Sequence, residues 1–157
     1  MAPKTPVNLN SNSARIHTDG GCWGNPGPGG WACIVELAGR EIVASGGESA
    51  TTNNRMELTA VIEGLRAATE AGAAVAQVST DSRYVQQGIT SWIHTWKKNG
   101  WRTAGKQPVK NQDLWIALDR ETEGLEVRWE WVAGHAGNRE NERCHDLVQN
   151  EIAKISK

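Results

Sequence analysis

The sequence predicts a mixed α/β fold, one sheet with helices on both faces. Three short strand-like runs separated by turn formers come first, and a long run with helical apolar periodicity follows. The remainder alternates strand, helix, strand, helix. Consecutive strands joined by tight turns pair antiparallel, whereas strands separated by a helix pair in parallel. The expected sheet therefore has five strands, the first three an antiparallel meander and the others parallel.

Residues 15–19 form the first strand, and residues 20–30, rich in Gly and Pro, form a turn. Residues 31–37 and 41–45 are the next two strands, joined through residues 38–40. Asn53 or Asn54 is positioned to cap a helix that runs to Ala71 and stops at Gly72. Within it Leu58, Val61, Ile62, Leu65 and Ala68 fall on one face at 3.6-residue spacing, and Glu57 lies on the border of that face. Residues 76–80 form the fourth strand. Short helical pieces fill residues 83–99 until Gly100 breaks them, residues 111–121 form a helix, and residues 126–132 form the fifth strand. The last helix spans residues 138–155, with Cys144, Leu147, Val148, Ile152 and Ile155 on its core face. His145 lies at the border of that face, and Asp146 points nearly opposite.

A chain of 157 residues suits one domain with a sizeable core, here residues 14–157. Residues 1–13 are polar, hold two Pro and three Asn, and show no apolar periodicity, so a disordered tail is expected there. The tail lacks the apolar stretch of a secretory signal, and no run is long enough to span a membrane. Cys22, Cys33 and Cys144 are odd in number and lack metal-type spacing, which fits a reduced cytoplasmic setting without disulfide or zinc. The net charge of −1 hides an asymmetry. Between Ser82 and Gln112 there is no acid but six bases, Arg83, Lys97, Lys98, Arg102, Lys106 and Lys110. The other 11 bases and all 18 acids lie outside, leaving −7 there against a local +6 suited to a polyanion.

Three acids sit at the edges of different elements: Asp19 and Asp81 each end a strand-like run, and Glu57 lies in the first turns of a helix. One acid in such a place is ordinarily a solvated surface group. Three brought together repel one another, and a site built from them holds a hard divalent cation with oxygen ligands. Phosphodiester hydrolysis needs an activated water, an in-line path and neutralised charge, which two divalent ions ~4 Å apart can supply. Asp19, at the end of the central strand, is the candidate bridging ligand.

Around these acids stand Thr18-Asp-Gly-Gly, Gly24-Asn-Pro-Gly-Pro-Gly-Gly-Trp, Thr52-Asn-Asn-Arg-Met-Glu-Leu, Thr80-Asp-Ser, Trp131-Val-Ala-Gly-His-Ala-Gly and Asn141-Glu-Arg. Together, and in this order, these motifs resemble type 1 ribonuclease H of the bacterial kind, from about Arg15 to the C-terminus. The resemblance implies a ribonuclease H-like fold and an endonuclease that cuts the RNA strand of RNA–DNA hybrids, leaving 5′-phosphate and 3′-hydroxyl ends. It implies two Mg²⁺ ions, with Mn²⁺ as substitute, held by Asp19, Glu57 and Asp81. A monomer without an obligate protein partner or membrane attachment is expected.

The resemblance also distributes roles to other residues. His135 reads from its own surroundings as a surface loop histidine, and the family gives the matching residue a part in proton transfer and product departure. The segment Trp92-Ile-His-Thr-Trp-Lys-Lys-Asn-Gly-Trp-Arg interleaves aromatics with cations. The family uses it, over about residues 92–110, as a basic protrusion that grips the DNA strand, with Trp92, Trp96, Lys97, Lys98, Trp101 and Arg102 as contacts. Trp92 and Trp96 read equally well as core residues. Cys22 and Asn25 fall beside the RNA strand, where the 2′-hydroxyl distinguishes RNA from DNA. Asn53 and Asn54 fall near the bases, and Thr52 and Asn111 match a pocket for a DNA phosphate. His17 and His94 read as structural or surface residues.

One position departs from the pattern. Ten residues beyond His135 the family carries a fourth Asp, where this chain has His145 followed by Asp146. The phasing of the last helix turns His145, not Asp146, toward the metal site. The substitution opens a second reading, a catalytically weak hybrid-binding module. An integrase-like DNA nuclease of similar fold is a third, although the Asn25 turn and the Trp/Lys segment would be unexpected in it.

Overall fold

The computed structural model describes residues 12–132 and 139–156. The strands β1 (Ser13–Cys22), β2 (Gly27–Leu37), β3 (Arg40–Thr51), β4 (Val75–Thr80) and β5 (Glu126–Trp131) form one sheet in the order β3-β2-β1-β4-β5. The β1–β2 and β2–β3 pairs are antiparallel, and the β1–β4 and β4–β5 pairs are parallel. The helices are α1 (Asn53–Glu70), α2 (Arg83–Gln87), α3 (Ile93–Lys98), α4 (Gln112–Thr122) and α5 (Arg139–Ile155), with a π-helical turn over Gly88–Trp92 between α2 and α3. None of the described helices is long and apolar enough to cross a membrane.

The two faces of the sheet are covered by different helices. On one, Leu58, Val61, Ile62 and Leu65 of α1 pack over Ile16, Val35, Leu37 and Val78, and Trp115 and Leu118 of α4 extend the layer. On the other, Cys144, Val148 and Ile152 of α5 cover Ala32 and Ile34. Strand alternation delivers these sets: Ala32 and Ile34 face α5, while Val35 and Leu37 are buried with α1.

The first three strands run further than their sequence suggests. Residues 20–22 and 27–30, expected to be turn, belong to β1 and β2, and the turn itself shrinks to residues 23–26 with a cis Asn25–Pro26 bond. Asp19 therefore lies inside β1, paired with Ala32, rather than ending it. Ser13, assigned to the tail, is buried and opens β1, while residues 1–11 lie outside the described residues. The tight reversal falls at Ala38 and Gly39, both with positive φ (54° and 78°), as a two-residue hairpin requires. Thr52, not Asn53 or Asn54, caps α1: its Oγ1 accepts from the Arg55 amide at 3.3 Å.

The glycines that suggested a turn serve contact between layers instead. A Cβ on Gly20 would come 2.5 Å from the Glu57 amide nitrogen and closer still to the Met56 carbonyl carbon, so the first turns of α1 rest directly on the strand backbone. Gly29 faces the same side, where a Cβ would meet Met56 Cγ at 3.0 Å. Gly21 and Gly30 face α5, and a Cβ on Gly30 would lie 2.9 Å from the Val148 carbonyl oxygen.

Adjacent glycines should thus respond differently to a methyl group. Gly20→Ala must push α1 off the sheet, an overpacking that costs about 1–3 kcal/mol or more. For a domain of this size that lowers the melting temperature by roughly 2–4 °C per kcal/mol. Gly21→Ala meets only Val148 Cγ1 at 3.4 Å, an ordinary contact, and should melt close to the parent. Thermal melts of both variants check this.

Candidate active site

Three elements converge on one carboxylate cluster. The parallel register of β1 on β4 ends at His17 opposite Ser79. Continued by two residues it would set Asp19 opposite Asp81, so these acids flank the point where the two strands part. Glu57 comes to the same point from above, because Gly20 lets its backbone settle against β1. Asp19, Glu57 and Asp81 each present an oxygen within 4.8 Å of the others. Asp19 is 3% exposed and Glu57 8%, whereas Asp81 is half-buried. They line an open cavity of about 320 Å³, together with Cys22, Asn53, His145 and Gln149.

Burial pushes the Glu57 carboxyl well above its usual range, and the Asp19 and Asp81 charges push it further, with the Gly20 backbone opposing. Glu57 Oε1 is buried without a hydrogen-bond partner. A buried anionic oxygen without a donor is a costly arrangement unless a cation completes it. The ligand set is all oxygen, which suits a hard divalent ion such as Mg²⁺ or Mn²⁺.

His145 projects from α5 into this cavity, with Nδ1 3.5 Å from Asp19 Oδ2. Asp146 is exposed on the next position of the helix. His135 lies outside the described residues. His94 is exposed, and His17 sits in β1 with Nε2 3.5 Å from Glu36.

The β1–β2 turn borders the cavity. Cys22 Sγ is 3.3 Å from the Gly27 carbonyl oxygen and 3.4 Å from that of Thr51, which fixes the strand end. Asn25 Oδ1 accepts from the Asn53 amide at 3.1 Å and ties the turn to the start of α1, while Asn54 follows half-buried. Cys22, Asn25 and Asn53 thus form one rim.

The other expected contacts gather on the opposite flank of α1. Asn111, with φ 59° at the start of α4, accepts from Arg55 Nη1 at 3.2 Å and donates to the Tyr84 hydroxyl at 3.0 Å. Arg55 also makes a two-pronged ion pair with Asp113, at 3.0 and 2.8 Å. Arg55 thereby connects the Thr52 cap to Asn111. Trp92 and Trp96 are half-buried in a chain of ring contacts with Tyr84 and Trp115, and both line an apolar recess of about 330 Å³ with Val109 and Lys110. Each is therefore part core and part surface. Trp101 (φ 65°) is half-buried, with its amide donating to the Trp96 carbonyl at 2.7 Å. Lys98 and Arg102 are exposed; Lys97 pairs with Asp119 at 3.2 Å, a surface ion pair of small worth.

Sequence reasoning passed over Arg55, Tyr84 and Gln149. Arg55 stood inside a quoted motif, flanked by the Thr52 cap and Glu57, and its fork was the available signal. Tyr84 and Gln149 carry none, because their roles depend on which helices meet.

A family model described as RNase H matches residues 11–153. A ribonuclease H of Rhodopseudomonas palustris (strain BisB5) is 55% identical over 139 residues, covering 88% of this chain and 91% of that protein. One from Escherichia coli O9:H4 (strain HS) is 56% identical over 135 residues, 86% of each chain. Among solved structures, LC9-RNase H1, described as a type 1 RNase H with the type 2 active-site motif, superposes with a TM-score of 0.80 at 35% identity, over 94% of this chain and 75% of that one.

The raised Glu57 carboxyl gives the metal-free protein a pH signature. Native Glu57 keeps a proton that the unfolded chain releases near its ordinary value of 4.5, so stability falls as pH rises from there through the raised native value. Glu57→Gln removes that loss. In chelator the variant should melt above the parent at neutral pH, by roughly 2–4 °C for each kcal/mol recovered. The advantage should shrink below pH 4.5. Melting curves across that range test it.

Proposed function

The chain belongs to the RNase H family, and on that premise we propose that it is an endonuclease cutting the RNA strand of RNA–DNA hybrids to 5′-phosphate and 3′-hydroxyl ends. The convergence of Asp19, Glu57 and Asp81 from three elements within 4.8 Å carries this reading. The orphaned Glu57 oxygen and the three carboxylates fit divalent cations. Cations held there supply an activated water and neutralise charge that develops on the phosphate.

The residues divide the work by position. Asp19, close to Glu57 and Asp81 and 3.5 Å from His145 Nδ1, would be the shared ligand, and Glu57 and Asp81 would hold the cation on the side of the leaving 3′ oxygen. The rim of Cys22, Asn25 and Asn53 offers hydrogen-bonding groups to the RNA strand and its 2′-hydroxyls. Across α1, Thr52, Arg55 and Asn111, linked by hydrogen bonds, form a polar cluster that would take a DNA phosphate. The Trp92 and Trp96 recess with Lys97, Lys98, Trp101 and Arg102 guides the same strand beyond it. His135 serves proton transfer.

His145 takes the fourth ligand position. Imidazole nitrogen suits Mn²⁺ better than Mg²⁺, and an imidazole in place of a carboxylate leaves less repulsion in the metal-free site. Mn²⁺ is accordingly the better supporting ion for this chain, with Mg²⁺ weaker than in relatives that carry the fourth acid.

End-labelled RNA–DNA hybrid, RNA duplex and DNA duplex, each with Mg²⁺, Mn²⁺ or chelator, form the direct assay. Only the hybrid should be cut, and only with metal; equal cleavage of DNA duplex would restore the integrase-like alternative. Asp19→Asn should lower the rate by more than about 100-fold, beyond what loss of an outer partner costs, while hybrid binding survives. Retention of parental rates would remove Asp19 as the shared ligand. His145→Asp should gain Mg²⁺ affinity and lose metal-free melting temperature, with Asp146→Asn changing neither. A large loss in Asp146→Asn with His145→Ala silent would transfer the fourth position to Asp146.

A further inference from the structure

Trp23 is 47% exposed, and with Val43 it makes up the exposed large apolar side chains among the described residues. An isolated exposed apolar residue is common and by itself means little. Val43, within edge strand β3, fits that description. Trp23 is different because it is fixed at the edge of the carboxylate cavity. It opens the β1–β2 turn, one residue after Cys22, which lines that cavity. Its Nε1 donates to Gln149 Oε1 at 3.1 Å, and Gln149 lines the same cavity from α5.

The backbone beneath the indole is equally constrained. The Trp23 amide donates to the Pro28 carbonyl at 2.8 Å, and the Trp23 carbonyl lies too close to Gly27 to admit a Cβ. Asn25 ties the turn to α1 through the Asn53 amide. The turn is therefore anchored to α1 on one side and to α5 on the other. With its N–H engaged, the indole offers a ligand its apolar ring surface, already oriented, so little side-chain entropy is lost on contact.

We propose that Trp23 is a sugar-contacting platform, its ring lying in the minor groove against the ribose of an RNA-strand nucleotide beside the scissile phosphate. This rests on the reading that a hybrid binds across the carboxylate edge. Within a duplex the bases are stacked on one another, and the wide, shallow minor groove presents riboses. The contact is apolar, so it is insensitive to salt and to base identity, unlike the cationic arm over residues 92–110. It sets how the RNA strand is seated over Asp19, Glu57 and Asp81.

Hydroxyl-radical footprinting of the end-labelled RNA strand reads ribose contacts directly, and in excess chelator the hybrid stays uncut. The parent should protect a run of riboses spanning the position that it cleaves with Mn²⁺. Trp23→Ala should lose protection at one or two adjacent riboses and keep the rest, with Kd raised about five-fold at low and high salt alike. Trp23→Phe, which keeps a ring, should retain the protection. A footprint and Kd unchanged in Trp23→Ala would overturn the proposal. So would uniform fading of the whole footprint with a lowered melting temperature, which marks a structural role. If the parent protects no ribose at all, hybrid binding itself fails, and the platform fails with it.

Discussion

Everything at the carboxylate site depends on a helix backbone resting on a strand that has no side chain to hold it off. Gly20 leaves β1 bare, and the backbone of Met56 and Glu57 fills the space where a Cβ would stand. Few contacts in a protein are so intolerant of added atoms, because backbone cannot turn aside as a side chain can. Three carboxyl groups this close oppose one another's ionisation, so the fold must hold them there at a cost. The seating of α1 on β1 does so for Glu57, and the parallel β1–β4 register does so for Asp19 and Asp81. Cover from α5 on the opposite face, through Cys144, Val148 and Ile152, supports the strand from behind and delivers His145.

Substrate surfaces grow out of the same arrangement. The start of α1 carries Thr52, Asn53 and Arg55 toward different neighbours: Asn53 to the Asn25 turn, and Arg55 to Asn111 and Asp113. One helix N-terminus thus joins the Asn25 turn on one side to the polar cluster of Asn111 and Asp113 on the other. A shift of that terminus would move both flanks along with Glu57. Groups carried on one rigid element keep their relative positions more closely than groups on separate loops.

Much of this was legible in the sequence, for physical reasons that differ by element. The order of strands and helices could be read because apolar spacing of two and of 3.6 residues is a local property. The same spacing put Glu57 at the border of the α1 core face and His145 at the border of that of α5, and both line the cavity. The glycine-rich segment was misread, since Gly20, Gly21, Gly29 and Gly30 resemble turn formers locally. Their role, close approach of helices to both faces, exists only once the layers are stacked. The cap of α1 was misassigned among adjacent Thr and Asn residues with similar capping preference. Arg55, Tyr84 and Gln149 depend on long-range contacts, which no local pattern encodes.

The fold holds three carboxylates together at a cost that divalent cations would relieve. Titration calorimetry with Mn²⁺ at about pH 6, repeated in buffers of different ionisation enthalpy, counts the protons released on binding. Because burial and the Asp19 and Asp81 charges raise the Glu57 carboxyl, and a ligand carboxylate must be ionised, the account predicts proton release on binding, reduced in Glu57→Gln. Binding without proton release, or no binding in the absence of nucleic acid, would contradict it.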